Sequence, residues 1–349
     1  MGCVRAYCDL RSVVTCPKLL VRGLRHPIED AGLLVCRSKH DRRQATWRST
    51  AEPTRQTWSR ALDEPTEYQA EFYAVLDGAG PAYQDPEQLA ELVDNPNRRS
   101  LGEQMVEELN HHLYGVAEKI ISSDQDDRAA DGDWFTCIWQ ALLQRYAELD
   151  AQFFDAQPWR QRTTVCLALA GYRKGRHVSQ EETQLFFANL GDAMVGIQVD
   201  GAWYSTSNTV AWISRRVTDE RRACDATMSD LGLWREHFYS HDHSGHLCVN
   251  ECRSWLSSEE MRSILANSPN GYTCLGPRCE KIQVHQVPLT SVNELIVATD
   301  GALHRDRLIA TELNPSALFA PLVEPNPACP GQRLDRGSNT EATLIYRQF

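Results

Sequence analysis

The sequence contains no apolar run near the roughly 20 residues that a membrane-spanning helix needs. Its longest, such as TVCLALAGY at 164–172, are strand-sized. It contains no internal repeat and no long low-complexity tract. Basic residues are in deficit, with 36 Lys and Arg against 47 Asp and Glu and a net charge of −11. That balance argues against a nucleic-acid partner, which needs a basic face to neutralise phosphates. An apolar leader is missing as well, since Arg5 and Asp9 interrupt the first ten residues, and secretion is not expected. Ala6 stands where an N-myristoylation pattern prefers Ser or Thr, so acylation is not expected either. The closely paired Cys-x2-Cys spacing of common structural zinc sites does not occur among the 12 cysteines.

What is present is an ordinary soluble composition, 42% hydrophobic and 24% charged over 349 residues, enough to bury a sizeable core. The expectation is one domain over 1–349, cytoplasmic and monomeric. Its charge is uneven: residues 1–60 hold 12 Lys and Arg against 5 Asp and Glu, a balance of +7 that leaves −18 on the rest. The basic portion suits a phosphate group or an acidic partner, or is a solvated surface. Cys3, Cys8, Cys16, Cys36, Cys137 and Cys166 are scattered, several in apolar runs, and read as buried free thiols in a reducing compartment.

Along the chain, residues 31–36 and 71–76 read as strands, and the Arg-rich, Pro-punctuated stretch 37–68 between them as a polar loop or insertion. Asp85-Pro86 opens a helix. Ser100 and Glu103 form a capping box ahead of Met105, Leu109, Leu113, Val116 and Ile120, a helical stripe. Trp134, Ile138, Leu142, Tyr146, Leu149 and Phe153 repeat that spacing on a second long helix. After residue 160 the period changes to that of strands, at 164–170, 183–190, 193–204, 294–299 and 342–347, while 214–280 is a polar, His- and Cys-rich insertion. Strands, then helices, then many strands without alternation predict an α+β fold with antiparallel sheet.

Carboxylates mark the edges of four of these runs: Glu29-Asp30, Asp77-Gly78, Gly191-Asp192 and Asp300-Gly301. Asp-Gly after a strand is an ordinary turn on its own. Several such carboxylates meeting in space would hold a hard cation, since Mg²⁺ and Mn²⁺ take carboxylate, carbonyl and water oxygens. If the four are only turns, they need not converge, and the chain is a structural or partner-binding protein.

The ordered set Arg-x-x-x-Glu-Asp at 25–30, Asp-Gly-x-Gly at 77–80, Ala-Asn-x-Gly-Asp at 188–192 and Ala-Thr-Asp-Gly at 298–301 resembles the metal-dependent protein phosphatases, the type 2C serine/threonine family. QRTTVCLALA at 161–170 and RGSNTEATLIYR at 336–347 resemble two further strands of that family. The resemblance implies two packed, mainly antiparallel β-sheets flanked by helices, an α-β-β-α sandwich, with two Mn²⁺ or Mg²⁺ ions and a weaker third. It implies that Asp77 bridges the metals and Gly78 offers its carbonyl. Asp300 would bind the first metal, Glu29 and Asp30 would stand near the second, Asp192 would serve the third, and Arg25 would clamp the phosphate. The substrates would be phosphorylated proteins.

The closing motif departs from the family pattern. Thr340 falls where the family has a metal-binding Asp, and Glu341 where it has Asn, so Thr340 or Glu341 would have to serve as a replacement ligand. Ile28, Ala79, Ala193-Met194 and Asn293 are milder departures. Two readings follow: a working phosphatase, or a pseudophosphatase that binds phosphoproteins without turning them over. Apart from these, His241, His243, His246, Cys248 and Cys252, with Cys274 and Cys279 beyond, are dense enough to suggest zinc, though a polar loop with incidental His and Cys has the same composition.

Overall fold

The computed structural model describes residues 4–10, 30–38, 42–48, 68–79, 101–122, 132–154, 163–174, 182–210, 240–241, 247–248, 266–267, 272–276, 278–303, 314–323 and 341–349. The strands are β1 (Val4–Leu10), β2 (Asp30–Ser38), β3 (Arg42–Arg48) and β4 (Tyr68–Ala79), followed by helices α1 (Leu101–Ser122) and α2 (Asp133–Phe154). Then come β5 (Thr164–Arg173), β6 (Gln184–Leu190), β7 (Met194–Val199), β8 (Ala202–Ser205), β9 (Ser240–His241) and β10 (Leu247–Cys248). The chain closes with β11 (His285–Pro288), β12 (Val292–Ala298), helix α3 (Pro315–Val323) and β13 (Glu341–Gln348). One sheet runs β1-β13-β12-β7-β8 and the other β11-β6-β5-β4-β2-β3, with β9 and β10 a small separate ladder. Every pairing among the described strands is antiparallel. None of the described helices is long and apolar enough to cross a membrane.

Alternation along β4 explains the layers. Phe72, Ala74 and Leu76 face α1 and α2 with Met105, Leu109, Leu113, Phe135 and Leu142. Tyr73 and Val75 face the other way, into the layer between the sheets with Ala168, Val195, Leu295 and Ile345. A strand buried on both faces has no polar residue to alternate with, which is why EFYAVL reads as a continuous apolar run. On the far side of the five-stranded sheet, Met194, Ile296 and Leu344 pack on Leu318 and Phe319 of α3. The expected α-β-β-α sandwich is the observed one. Burying each large side chain such as Phe72 or Leu109 contributes about 1.5–3 kcal/mol, so the three apolar layers hold the sheets and helices together.

Both predicted helical stripes are present. Met105, Leu109 and Leu113 are fully buried, while Val116 and Ile120 are half-buried and Ala117 and Ile121 take over the core face. Steps of four residues overrun a 3.6-residue turn, so the apolar stripe must drift around the helix. Residues 193–204, read as a single strand-like run, form the hairpin β7–β8, turning at Asp200 (φ 51°) and Gly201 (φ 79°). Two positive φ values give the turn whose twist matches the flanking strands.

Two expectations need correction. Residues 37–68 were expected to be loop, but β3 lies within them and pairs with β2 from Ala31↔Arg48 to Arg37↔Arg42. An edge strand needs only its backbone to pair, so the Arg-rich RRQATWR carries no apolar alternation to announce it. Cys137, expected buried, is exposed on α2. The helix start at Asp85-Pro86 lies outside the described residues.

Candidate active site

The register of β2 on β4 sets Asp30 opposite Asp77, and β4 on β5 sets Asp77 opposite Cys166. Residues directly opposite in an antiparallel pair share a face. Here it is the face toward the other sheet, because Tyr73 and Val75 of β4 and Leu34 of β2 occupy it. Asp30 begins β2 and is 4% exposed; Asp77 and Gly78, near the end of β4, are half-buried.

Across the layer, β12 of the opposite sheet ends at Ala298 and delivers Thr299 and then Asp300, which starts a single 3₁₀ turn to Ala302. Thr299 donates its hydroxyl to Asp30 Oδ2 at 2.8 Å. It accepts the Thr343 backbone N–H on Oγ1 at 3.0 Å, and its own N–H goes to the Thr343 carbonyl at 3.0 Å. Asp192 arrives on the turn between β6 and β7. Gly191 there has φ 79°, and a Cβ on it would lie 2.1 Å from Cys166 Sγ, so only glycine lets this turn close on β5. Asn189 fixes the turn by donating its side-chain amide to the Ala193 and Ser207 carbonyls at 2.9 and 2.7 Å.

Electrostatics report the same convergence. Asp30 is pushed up to about 8 by burial first, then by the charges of Asp300 and Asp192, against hydrogen bonds from Thr299 and Thr343 that pull it down. The Cys166 thiol is driven well up by burial and by Asp192 and Asp77. Asp30, Asp77, Asp192 and Asp300 therefore share one end of the inter-sheet layer, which independent turns would not give. Among the described residues, no three His, Cys, Asp or Glu side chains are placed to hold one ion between them. The carboxylates gather without closing on a common point. Their chemistry fits a hard divalent cation: all donors are oxygen, and a buried carboxylate repelled by two others is stabilised by positive charge.

Arg25, Glu29 and Thr340 lie outside the described residues. Glu341 opens β13, two positions before Thr343. Of the His/Cys group, His243, His246 and Cys252 are outside the described residues, while His241 and Cys248 lie on β9 and β10, where Leu247 pairs with His241 and Cys248 with Ser240. Cys274 and Cys279 lie near the end of the 214–280 stretch. The segment carrying them joins β5 through Val165 and Leu275, which exchange N–H···O bonds of 2.9 and 2.8 Å. Cys274 is fully buried, with its N–H and carbonyl hydrogen-bonded to Asn267 at 3.1 and 3.0 Å; Cys279 packs against the helix-side core. Burial raises the Cys279 thiol to about 11 and Cys274 well above its ordinary value, so both are neutral core residues at physiological pH.

Sequence reasoning missed Thr299, Thr343, Asn189 and the site-side position of Cys166. Thr299 and Asn189 stood inside the motifs, but no local signal marks a threonine whose partner is 269 residues away.

No protein-family model matches the chain, and no curated protein matches it. Among solved structures, Stp1 serine/threonine phosphatase from Staphylococcus aureus is 12% identical with a TM-score of 0.49, over 99% of this chain and 94% of that one. The S. agalactiae serine/threonine phosphatase is 12% identical at 0.45, over 100% and 99%. The Mycobacterium tuberculosis serine/threonine phosphatase PstP is 10% identical at 0.45, over 99% of each. What this chain is similar to, on these figures, is a set of bacterial serine/threonine phosphatase structures.

Proposed function

We propose that this protein is a metal-dependent phosphatase acting on phosphoserine and phosphothreonine of proteins. The observation that carries the reading is the facing pair Asp30 and Asp77 at the end of the inter-sheet layer, with Asp192 and Asp300 brought to the same end. Asp77, with the Gly78 carbonyl beside it, and Asp300, Asp30 and Glu29 would together hold two cations. Asp192 serves a looser third. Arg25 orients the phosphate by a charge-assisted fork. When bound, Mn²⁺ or Mg²⁺ would make a nearby water more acidic and offset charge on the phosphate oxygens. Thr340 or Glu341 would have to replace the closing Asp of the family pattern.

A second reading is favoured by a specific observation: no three of the described carboxylates close on one point. With Thr340 in place of Asp, a protein of this architecture would bind phosphoproteins without turnover. Hydrolysis of an aryl phosphate by the purified chain, titrated with Mn²⁺ and Mg²⁺, separates the two. Metal-dependent turnover that disappears in Asp77→Asn supports the phosphatase. Turnover absent in wild type and gained in Thr340→Asp identifies the disabled form.

A further inference from the structure

We propose that Thr299 is a positioning residue that sets the spacing between the carboxylates of the two sheets; the inference rests on the metal-site reading above. Asp30 and Asp77 belong to the six-stranded sheet, Asp300 to the end of β12 in the five-stranded one. Most contact between the sheets is apolar, and apolar packing is non-directional, so by itself it does not fix where one sheet's end stands relative to the other. A hydrogen bond does.

Thr299 is fully buried, and its hydroxyl has one proton to give. The Thr343 N–H, 3.0 Å away, occupies an acceptor position on Oγ1, and the proton goes to Asp30 Oδ2 at 2.8 Å. The β-branched side chain holds few rotamers, so the hydroxyl is stiff relative to β12. The backbone on either side is also fixed: Thr299 N–H binds the Thr343 carbonyl, and the Ala302 N–H binds the Thr299 carbonyl at 3.1 Å. Asp300 is the next residue. One hydroxyl thus ties the position of Asp300 to that of Asp30, and through the β2–β4 register to Asp77.

The test is Mn²⁺ binding to the purified full chain by calorimetry, comparing wild type, Thr299→Val, Thr299→Ser and Asp77→Asn, with circular dichroism to verify folding. Outer partners of metal ligands are worth about 10–100-fold in affinity. Thr299→Val should bind at least about tenfold more weakly, and Thr299→Ser, which keeps the hydroxyl, should stay within about threefold of wild type. A folded Thr299→Val that binds like wild type overturns the inference while leaving the metal site standing. Should Thr299→Val not fold, Thr299→Ser decides: a tenfold loss there would show that the methyl group and not the hydroxyl matters, and overturn it. If wild type binds no better than Asp77→Asn, the metal-site reading itself falls, and the positioning role falls with it.

Discussion

β4 carries two acidic side chains on the same face, Glu71 and Asp77, at opposite ends of the inter-sheet layer. They meet opposite fates. Glu71 is fully buried and held by a two-pronged ion pair: Arg347 Nε to Oε2 and Nη2 to Oε1, both at 2.9 Å. The Tyr73 hydroxyl donates to the same carboxylate, and Arg347 lies over the Phe349 ring, 5.1 Å from its centre. At the other end, Asp77 faces the buried Asp30, and the opposite sheet presents two threonine hydroxyls and another carboxylate, Asp300. Buried charge is tolerated when it is paired and hydrogen-bonded. The Glu71 end meets that condition internally and is structural. The Asp30 end gathers like charges, and a protein gains nothing in folding from doing so. The proposed metal site lies at that end, where bound positive charge would relieve the repulsion.

The largest break in this comparison is at the closed end. Arg347→Met strands Glu71 in the core and should cost about 3–5 kcal/mol in urea unfolding. Replacing both partners by apolar residues of similar volume should recover most of that loss. Next, the open end should respond in the other direction to acid and base. Asp30 binds its proton up to about pH 8 when folded, but only to about 3.8 when unfolded. Between those values the native state holds the extra proton, so metal-free stability falls as pH rises through this window and levels off above it. The slope should reach about 1.4 kcal/mol per pH unit and flatten in Asp30→Asn, as read from urea midpoints across pH. Added Mn²⁺ should oppose the fall, because it binds the ionised form. Asp77→Asn should leave metal-free stability within about 1 kcal/mol of wild type, or raise it, since it removes one of the repelling charges. Smallest is Tyr73→Phe, which removes one hydrogen bond from Glu71 while the Arg347 pair remains; a loss of about 0.5–1.5 kcal/mol is expected.

Legibility in the sequence followed the same division. The stripes Met105–Leu109–Leu113 and Trp134–Ile138–Leu142 announced α1 and α2 because a helix against a sheet must be apolar on one side. β4, β5, β7 and β12 announced themselves as apolar runs. β1 and β3 did not: an edge strand is held by backbone pairing, β3 with the adjacent β2 without apolar alternation of its own, and β1 with the remote β13. Asp77 and Asp300 were visible as Asp-Gly after a strand, and Asp192 as Gly-Asp. The Glu71–Arg347 pair was not, being two residues 276 positions apart with nothing local to link them. Cys274 and Cys279 stood out in the sequence for their density with His, and the β5 bridge sets their segment against the six-stranded sheet.

Alone, the sequence determined the two helices, the strand-like runs and the order of the acidic turns, because these depend on periodicity and on turn chemistry within a few residues. The tertiary structure decided which carboxylate meets an arginine and which meets other carboxylates. That outcome depends on what a strand from the opposite sheet presents after more than 250 residues of intervening chain, Arg347 at one end and Thr299 with Asp300 at the other. No local pattern encodes that choice, because hydrogen bonds and charge interactions act over a few ångströms of space, whatever the distance along the chain.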